Sequence, residues 1–169
     1  VPNAGAGKII GTDGVDYDNA PLAVDGRKHW LYFGPDFDNA CSLGAGGLKE
    51  AAAELAKVAN IIRQSGRRVV WTMAPNKSVP LQRYLVPKNF PHGRCDRKNL
   101  ADQTRFMRSY DPPGYLSMVD PLAASKHEVY WKTDPHWSTV GGAIFAKEIA
   151  RALDPRLAEI QRSTYGTET

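Results

Sequence analysis

The sequence predicts an α/β layered domain with a mainly parallel sheet, and two stretches carry this prediction. Residues 48–65 have the pattern of an amphipathic helix, which a tight turn at Gly66 joins to a buried strand at 69–73. Residues 129–138 begin as a strand rich in β-branched and aromatic residues and end where another helix starts. Ligands of open α/β sheets bind in the loops after the carboxyl ends of strands. The second stretch is therefore the first candidate for a functional site.

The composition is that of one globular domain. A chain of 169 residues is long enough to bury its own core, and no stretch is apolar enough to span a membrane. The 22 basic and 18 acidic residues give a formal charge of +4. No nucleic-acid recognition motif accompanies this charge, so we expect solvated surface or an anionic glycan partner and no nucleic acid. The chain starts at Val1 rather than Met, which allows for a leader or anchor that has been removed.

The helix at 48–65 is the clearest single element. Its apolar residues recur at helical spacing and its charged residues lie mostly on the opposite face, so we expect the apolar stripe to pack on the sheet. Gly66 follows as the C-terminal cap. The stripe consists of Leu48, Ala51, Ala52, Leu55, Val58, Ala59 and Ile62.

Shorter elements follow from turn residues and apolar runs. The segments 35–47 and 80–98 are predicted as loops because they are rich in Gly, Pro, Asn and Asp. In chain order the other predicted elements are a strand at Ile9 and Ile10 before a turn at 11–14, a strand at 30–33, a helix at 100–110, a strand at 115–119, a short helical turn at 121–125 and a helix at 140–153.

Asp134 and His136 lie two residues apart in the turn between the 129–131 strand and the last helix. A carboxylate on one imidazole nitrogen sets the tautomer, and the other nitrogen can then take a proton from a nucleophile. Pro135 restricts the backbone of both neighbours, and Ser138 or Thr139 can cap the helix. The residues also allow a plain structural role, in which Asp134 caps a turn and His136 is half-buried. A metal site is not predicted, because no further ligand stands at a recognisable spacing.

The surrounding sequence resembles a known family. The run Tyr-Trp-Lys-Thr-Asp-Pro-His-Trp-Ser-Thr-Val-Gly-Gly at 130–142 is similar to the Asp-x-His-Trp signature of the alginate O-acetyltransferase family (AlgJ/AlgX type). Residues 26–33 resemble the family's Gly-x-x-Gly-Trp-Leu-Phe entry strand, with His29 where Gly is usual. Residues 69–77 resemble its hydrophobic strand ending in Pro-x-Lys.

This resemblance implies a three-layer, SGNH-hydrolase-like (flavodoxin-like) fold with a mainly parallel sheet. It also implies an enzyme that moves an acetyl group to hydroxyls of an exported polysaccharide through a Ser-His-Asp triad, without a cofactor. Asp134 and His136 would be its acid and base. No Gly-x-Ser block follows in the about thirty residues after His136. We therefore expect 1–169 to be a single domain that is incomplete at its C-terminus. The Ser would then lie on a missing segment or on a second chain, or the domain would have lost catalysis.

The expected binding residues are Lys77, Trp131 and Trp137. The tryptophans would wall the site against water, and Lys77 would either hold the substrate or be solvated. The partners would be a polysaccharide acceptor and an acetyl donor, which a membrane-bound protein could deliver. The setting would be extracellular, periplasmic or at the cell surface. The alternatives are an acetylesterase that uses the same site and a non-catalytic carbohydrate-binding module.

Cys41 and Cys95 both lie in segments predicted as loops. The residues alone leave a disulfide and two free thiols equally open. The exported character of the resembling family implies the disulfide, which would stabilise the fold by roughly 4 kcal/mol in the chain-entropy model.

Overall fold

The computed structural model describes residues 22–154 and Arg156, and for residues 38–45 it describes the backbone alone. The strand predicted at Ile9 and Ile10 and the turn after it lie outside the described residues. Short 3-10 turns occur at Arg27–His29, Gln82–Tyr84 and Pro87–Asn89. The strands and helices are β1 (Ala23–Asp25), β2 (Leu31–Phe33), α1 (Pro35–Gln64), α2 (Arg94–Ser109), α3 (Val119–Ala123) and α4 (Thr139–Leu153).

The regular sheet of the described residues is a two-stranded antiparallel pair. β1 and β2 pair with Val24 opposite Tyr32. The predicted 69–73 and 115–119 strands meet only at one parallel bridge, between Trp71 and Tyr115. Leu116 there donates its N–H to the carbonyl of Trp71 at 2.9 Å. The predicted mainly parallel sheet is thus reduced, in this part of the chain, to single contacts between extended segments.

α1 is helical as predicted, but it is longer and packs differently. It begins at Pro35, inside the predicted loop, because proline fits the first turn of a helix and an acid such as Asp36 is favourable there. Of the predicted stripe only Ala52 and Ala59 are buried. Leu55 and Val58 are 47% and 55% exposed, so this stripe does not lie on a sheet. α1 instead contacts α2, and Ala52 and Leu48 of α1 share an apolar cluster with Met107 of α2.

α2 also begins inside a predicted loop, at Arg94. The Gly93 backbone before it has φ +55°, and the Asp96 carboxylate in the first turn accepts the N–H of His92 at 2.7 Å. An acidic side chain that binds a free N–H favours a helix N-terminus. Both cysteines consequently lie in helices rather than loops, Cys41 in α1 and Cys95 in α2.

Two apolar clusters hold these elements together. The larger one joins β2, the segment before α3, and the 129–130 segment, and the smaller one joins α1 to α2 through Met73 and Val119. Among the fully buried side chains of the larger cluster are Tyr32, Leu81, Met118, Leu122, Val129 and Tyr130. No helix in the described ranges has the length and apolar character needed to cross a bilayer.

The N-terminus of α4 packs tightly on the extended segment before the candidate site. A Cβ added at Gly141 would overlap the carbonyl oxygen of Val129, whereas one at Gly142 would meet nothing within 4 Å. Gly141→Ala should therefore lower the free energy of unfolding by about 1–3 kcal/mol through overpacking. The matched Gly142→Ala should raise it by about 0.5–1 kcal/mol, since alanine is the better helix former. Urea unfolding of both variants checks this, and equal effects would show that α4 does not sit this close.

Candidate active site

The segment 129–138 closes on itself and leads directly into α4. Tyr130 and Trp137 form an antiparallel bridge, and Trp131 donates its N–H to the carbonyl of His136 at 3.2 Å. Ser138 then caps the helix, because its hydroxyl oxygen accepts the N–H of Gly141 at 3.2 Å. The strand predicted at 129–131 is reduced to this single bridge, whereas the predicted start of the helix, with Ser138 at the cap, is confirmed. The residues between Tyr130 and Trp137 form what we call the site loop, 131–136.

Asp134 and His136 are in contact within this loop. Oδ1 of Asp134 lies 2.7 Å from Nδ1 of His136 and also accepts the backbone N–H of His136 at 2.8 Å. A carboxylate that binds the N–H two residues on is an Asx turn, which aspartate forms readily. This local turn thus brings the imidazole and the carboxylate within hydrogen-bond reach of each other.

The protonation of the pair follows from its hydrogen bonds. The backbone N–H and then the imidazole of His136 hold the pKa of Asp134 below its usual range, so the carboxylate is ionised at neutral pH. An ionised carboxylate only accepts hydrogen bonds, and Nδ1 must therefore be the donor. In the neutral imidazole this leaves Nε2 as an acceptor, which is the arrangement a general base requires.

His136 of the pair lines a pocket of about 370 Å³. The side chain of His136 is 84% exposed and that of Asp134 is 52% exposed, so water reaches the pair. Such a pocket has room for a small acyl group beside the imidazole. Its lining is Asp36, Ala74, Pro75, Asn76, Lys77, Tyr130, Pro135, His136 and Trp137.

The two tryptophans of the predicted wall differ. Trp137 lines the pocket, stacks on Phe145 with ring centroids 4.0 Å apart, and donates Nε1–H to the Tyr130 hydroxyl at 2.9 Å. That hydroxyl in turn donates to the carbonyl of Pro75 at 2.5 Å. Trp131 is 51% exposed and does not line this pocket. Of the two tryptophans, only Trp137 therefore forms a fixed wall of the pocket.

Lys77 is brought to the site loop from 54 residues away. Its residue exposure is 2%, and its ammonium donates to the carbonyls of Trp131, Lys132 and Asp134 at 3.0, 3.2 and 3.0 Å. Burial lowers the pKa of Lys77 to about 8, against the opposing charges of Asp134 and Asp36. The ammonium is thus turned into the protein rather than toward solvent.

Asp36 lines the pocket and lies within the segment 35–47 that was predicted as a loop. It stands in the first turn of α1, just after β2. Burial raises the pKa of Asp36 to about 6, and the charge of Lys77 opposes this rise. Perturbed acids in pockets are typical of functional sites. Its position after the end of a strand, the same signal that singled out Asp134, was the clue in the sequence.

Two further polar side chains, Ser138 and Asp120, have structural partners. Ser138 donates its hydroxyl proton to the carbonyl of Glu128 at 2.5 Å, so its oxygen serves the helix cap. Asp120 lies at the start of α3 and binds Arg108 at 2.8 Å. Within the described part of the chain, no group of three or more His, Cys, Asp and Glu side chains is placed to hold a metal ion.

Comparison with known sequences identifies one family. The family described as "SGNH hydrolase-like domain, acetyltransferase AlgX" matches residues 23–169. Probable alginate O-acetylases AlgJ from Pseudomonas syringae pv. tomato and Pseudomonas putida are 23% and 24% identical over 140 and 137 residues. Both matches cover 80% of this chain but only 34% and 35% of the relatives.

A solved structure shares the fold. The O-acetyltransferase domain of Pseudomonas putida AlgJ superposes with a TM-score of 0.54 at 24% sequence identity. The match covers 80% of this chain and 48% of that domain. The chain thus spans about a third of the length of the AlgJ relatives and about half of the solved domain.

Proposed function

Because the chain belongs to the SGNH hydrolase-like, AlgX-type acetyltransferase family, we propose that it carries the acid–base half of an O-acetyltransferase active site. The observation that carries this proposal is the Asp134 carboxylate on Nδ1 of His136, which leaves Nε2 as a base beside a pocket. The acceptor is a polysaccharide, and the names of the AlgJ relatives favour a uronic-acid polymer of the alginate type. A second segment or chain supplies the nucleophilic Ser.

The chemistry proceeds in two steps. Nε2 of His136 takes the proton of the Ser hydroxyl while the Ser oxygen attacks the acetyl carbonyl of the donor. The imidazolium then gives this proton to the departing group of the donor, and the product on the enzyme is an acetyl-serine. In the second step a sugar hydroxyl attacks the acetyl carbonyl, again losing its proton to Nε2, and the Ser oxygen leaves and recovers that proton. Asp134 stabilises the imidazolium in both steps.

Trp137 is the residue we assign to exclude water from this acetyl-enzyme. Its indole is fixed by Phe145 on one face and by Tyr130 through Nε1, so it forms a rigid side of the pocket. Water that reached the intermediate would release acetate and turn the transferase into an esterase. The 84% exposure of the His136 side chain is the observation that favours this second candidate function, acetyl-ester hydrolysis at the same site.

A third candidate is a carbohydrate-binding module without catalysis. The observation in its favour is Trp131, whose indole is 51% exposed on the site loop and is free to stack on a sugar ring. A binding module needs no ordered acid–base pair, whereas this loop orders one with two hydrogen bonds to a single oxygen. The enzyme is therefore the better supported reading, with Trp131 as a sugar contact at its rim.

An assay with both possible acceptors separates these functions. The protein at its full encoded length is incubated with p-nitrophenyl acetate and a uronic-acid oligosaccharide, and the products are analysed by mass spectrometry. An oligosaccharide that is heavier by one acetyl group supports the transferase, and acetate alone supports the esterase. Binding of the oligosaccharide without p-nitrophenol release would support the module and contradict the catalytic proposal.

The proposal includes the fold and setting of the complete protein. The parallel bridge between Trp71 and Tyr115 supports a three-layer, mainly parallel sheet. A polysaccharide acceptor of this class supports a location outside the cytoplasm, in the periplasm or at the cell surface. The acetyl donor then has to be delivered there, and a membrane-bound partner is the simplest source.

A disulfide between Cys41 and Cys95 remains a prediction, which follows from the proposed location outside the cytoplasm. The side chain of Cys41 lies outside the described residues, and Sγ of Cys95 accepts a hydrogen bond from Asn99 at 3.1 Å. We expect non-reduced, alkylated protein to give one peptide pair linked through the two cysteines in mass spectrometry. Two alkylated thiols would contradict the prediction. The Cys41→Ser variant should then lose roughly 4 kcal/mol of stability in the chain-entropy model.

A further inference from the structure

The Lys77 ammonium is held by the main chain of the site loop. An ammonium has three protons, and the three carbonyls of Trp131, Lys132 and Asp134 each accept one within 3.2 Å. All three acceptors lie within four consecutive residues of one loop. Lys77 therefore has no donor left for a substrate, which replaces the binding role expected from the sequence.

The position of this ammonium is determined by rigid surroundings. Lys77 is fixed in a turn after the 69–73 segment, where the Leu81 N–H donates to the carbonyl of Lys77 at 3.2 Å. Its Nζ also lies 5.6 Å from the ring centroid of Trp30 and 5.5 Å from that of Tyr32, and both rings are buried. Aromatic faces attract a cation at these distances. The ammonium is thus a fixed point against which the loop is held.

The carbonyl of Asp134 links this fixed point to the acid–base pair. The same residue that gives its carbonyl to Lys77 gives its carboxylate to His136. A shift of the Asp134 backbone would therefore move Oδ1 away from both the N–H and Nδ1 of His136. The pair itself is exposed, with the His136 side chain 84% accessible, so packing does little to hold the imidazole in place.

On these contacts we infer that Lys77 is a positioning residue, which binds three carbonyls of the site loop and so holds the Asp134 carboxylate on Nδ1 of His136. This inference rests on the proposed function for its effect on catalysis. Its effect on the hydrogen bond between Asp134 and His136 is independent of any activity. The burial of Lys77 supports it, since a buried cation costs free energy unless its hydrogen bonds are satisfied.

The test uses Lys77→Met, which keeps the length and apolar stem and removes the three donors, in the protein at its full encoded length. The matched control is Lys132→Met, because Lys132 lies on the loop itself but its side chain is 44% exposed and pairs with Glu128. Nitrogen-15 shifts of the neutral His136 ring report its tautomer. Steady-state kinetics with an activated acetyl ester report kcat and KM separately.

Wild type and Lys132→Met should show the Nδ1–H tautomer. Lys77→Met should shift the ring toward the mixture of a solvated imidazole and lower kcat by about 100-fold, the order of loss for a misplacement near 1 Å, with KM little changed. An unchanged tautomer overturns the inference. So does a rise in KM alone, because that pattern indicates direct binding of the substrate. A shifted tautomer in a protein without acetyl transfer would contradict the proposed function and leave the positioning role standing.

A measurement on the wild type covers the case in which Lys77→Met does not fold. Below pH 8 the Lys77 ammonium should give a slowly exchanging nitrogen-15 signal with couplings across hydrogen bonds to the carbonyl carbons of residues 131, 132 and 134. A fast-exchanging ammonium without these couplings would overturn the inference.

Discussion

Replacing His136 by alanine is expected to lower kcat for acetyl transfer by about 10⁴-fold or more in the protein at its full encoded length. The reason is that Nε2 of His136 is the base that takes the proton of the nucleophile and of the sugar hydroxyl. The fold should be unaffected, because the side chain is 84% exposed and contacts no apolar cluster. Hydrolysis and transfer from an activated acetyl ester measure the loss, with circular dichroism as the check on folding.

The matched control is His127→Ala. His127 is exposed and lies shortly before the site loop. Its backbone forms hydrogen bonds with the Ser125 hydroxyl. Its replacement should leave kcat within about twofold, as for other surface substitutions. A normal rate in folded His136→Ala protein would show that the imidazole takes no part in the chemistry. The contact between Asp134 and His136 would then only stabilise a turn of the backbone.

Asp134→Ala should be the second largest loss, about 10⁴-fold in kcat, the order seen when the acid of a triad is removed. The change deletes the acceptor for Nδ1–H and the charge that stabilises the imidazolium. It also deletes the Asx turn, because the His136 N–H loses the same oxygen. The measurement is kcat with the activated ester, together with exchange protection of the His136 amide.

Asp134→Asn separates charge from geometry. Both contacts of His136 are made to Oδ1, so an asparagine that keeps Oδ1 in place preserves the turn and the tautomer but loses the charge. The asparagine amide can also turn its N–H toward the imidazole and fix the wrong tautomer, so we expect a severe loss of kcat with the amide protection retained. Asp120→Asn, on an exposed acid that binds Arg108, is the control. Equal rates for Asp134→Ala and wild type would exclude a catalytic carboxylate.

Local features of the site could be predicted from the sequence because they depend on neighbouring residues. Asp134 and His136 are two positions apart, and a side chain bound to a nearby N–H needs no tertiary contact. The Ser138 cap and the end of α1 before Gly66, at φ +81°, follow from equally local rules. His29, where the family has Gly, has φ +63°, in the left-handed region that favours glycine.

The errors have a common origin in local propensity. Gly, Asp and Asn predicted loops at 35–47 and 94–98, yet these residues extend α1 and α2, where an N-terminal proline and acids in the first turn favour the helix. The apolar stripe of α1 identified the helix correctly but not its contact face. Ala52 and Leu48 pack in the cluster that includes α2, while Leu55 and Val58 remain exposed.

The sequence by itself determined the acid–base pair, the turn that carries it and the helix that follows. Only the tertiary structure decided what supports and surrounds the pair. Lys77 binds carbonyls of the site loop that are 54 to 57 residues away in the sequence, and Asp36 lines the pocket from the first turn of α1. Such contacts depend on how whole segments pack. A buried ammonium with three carbonyl partners therefore looks, in the sequence, like any other lysine after a strand.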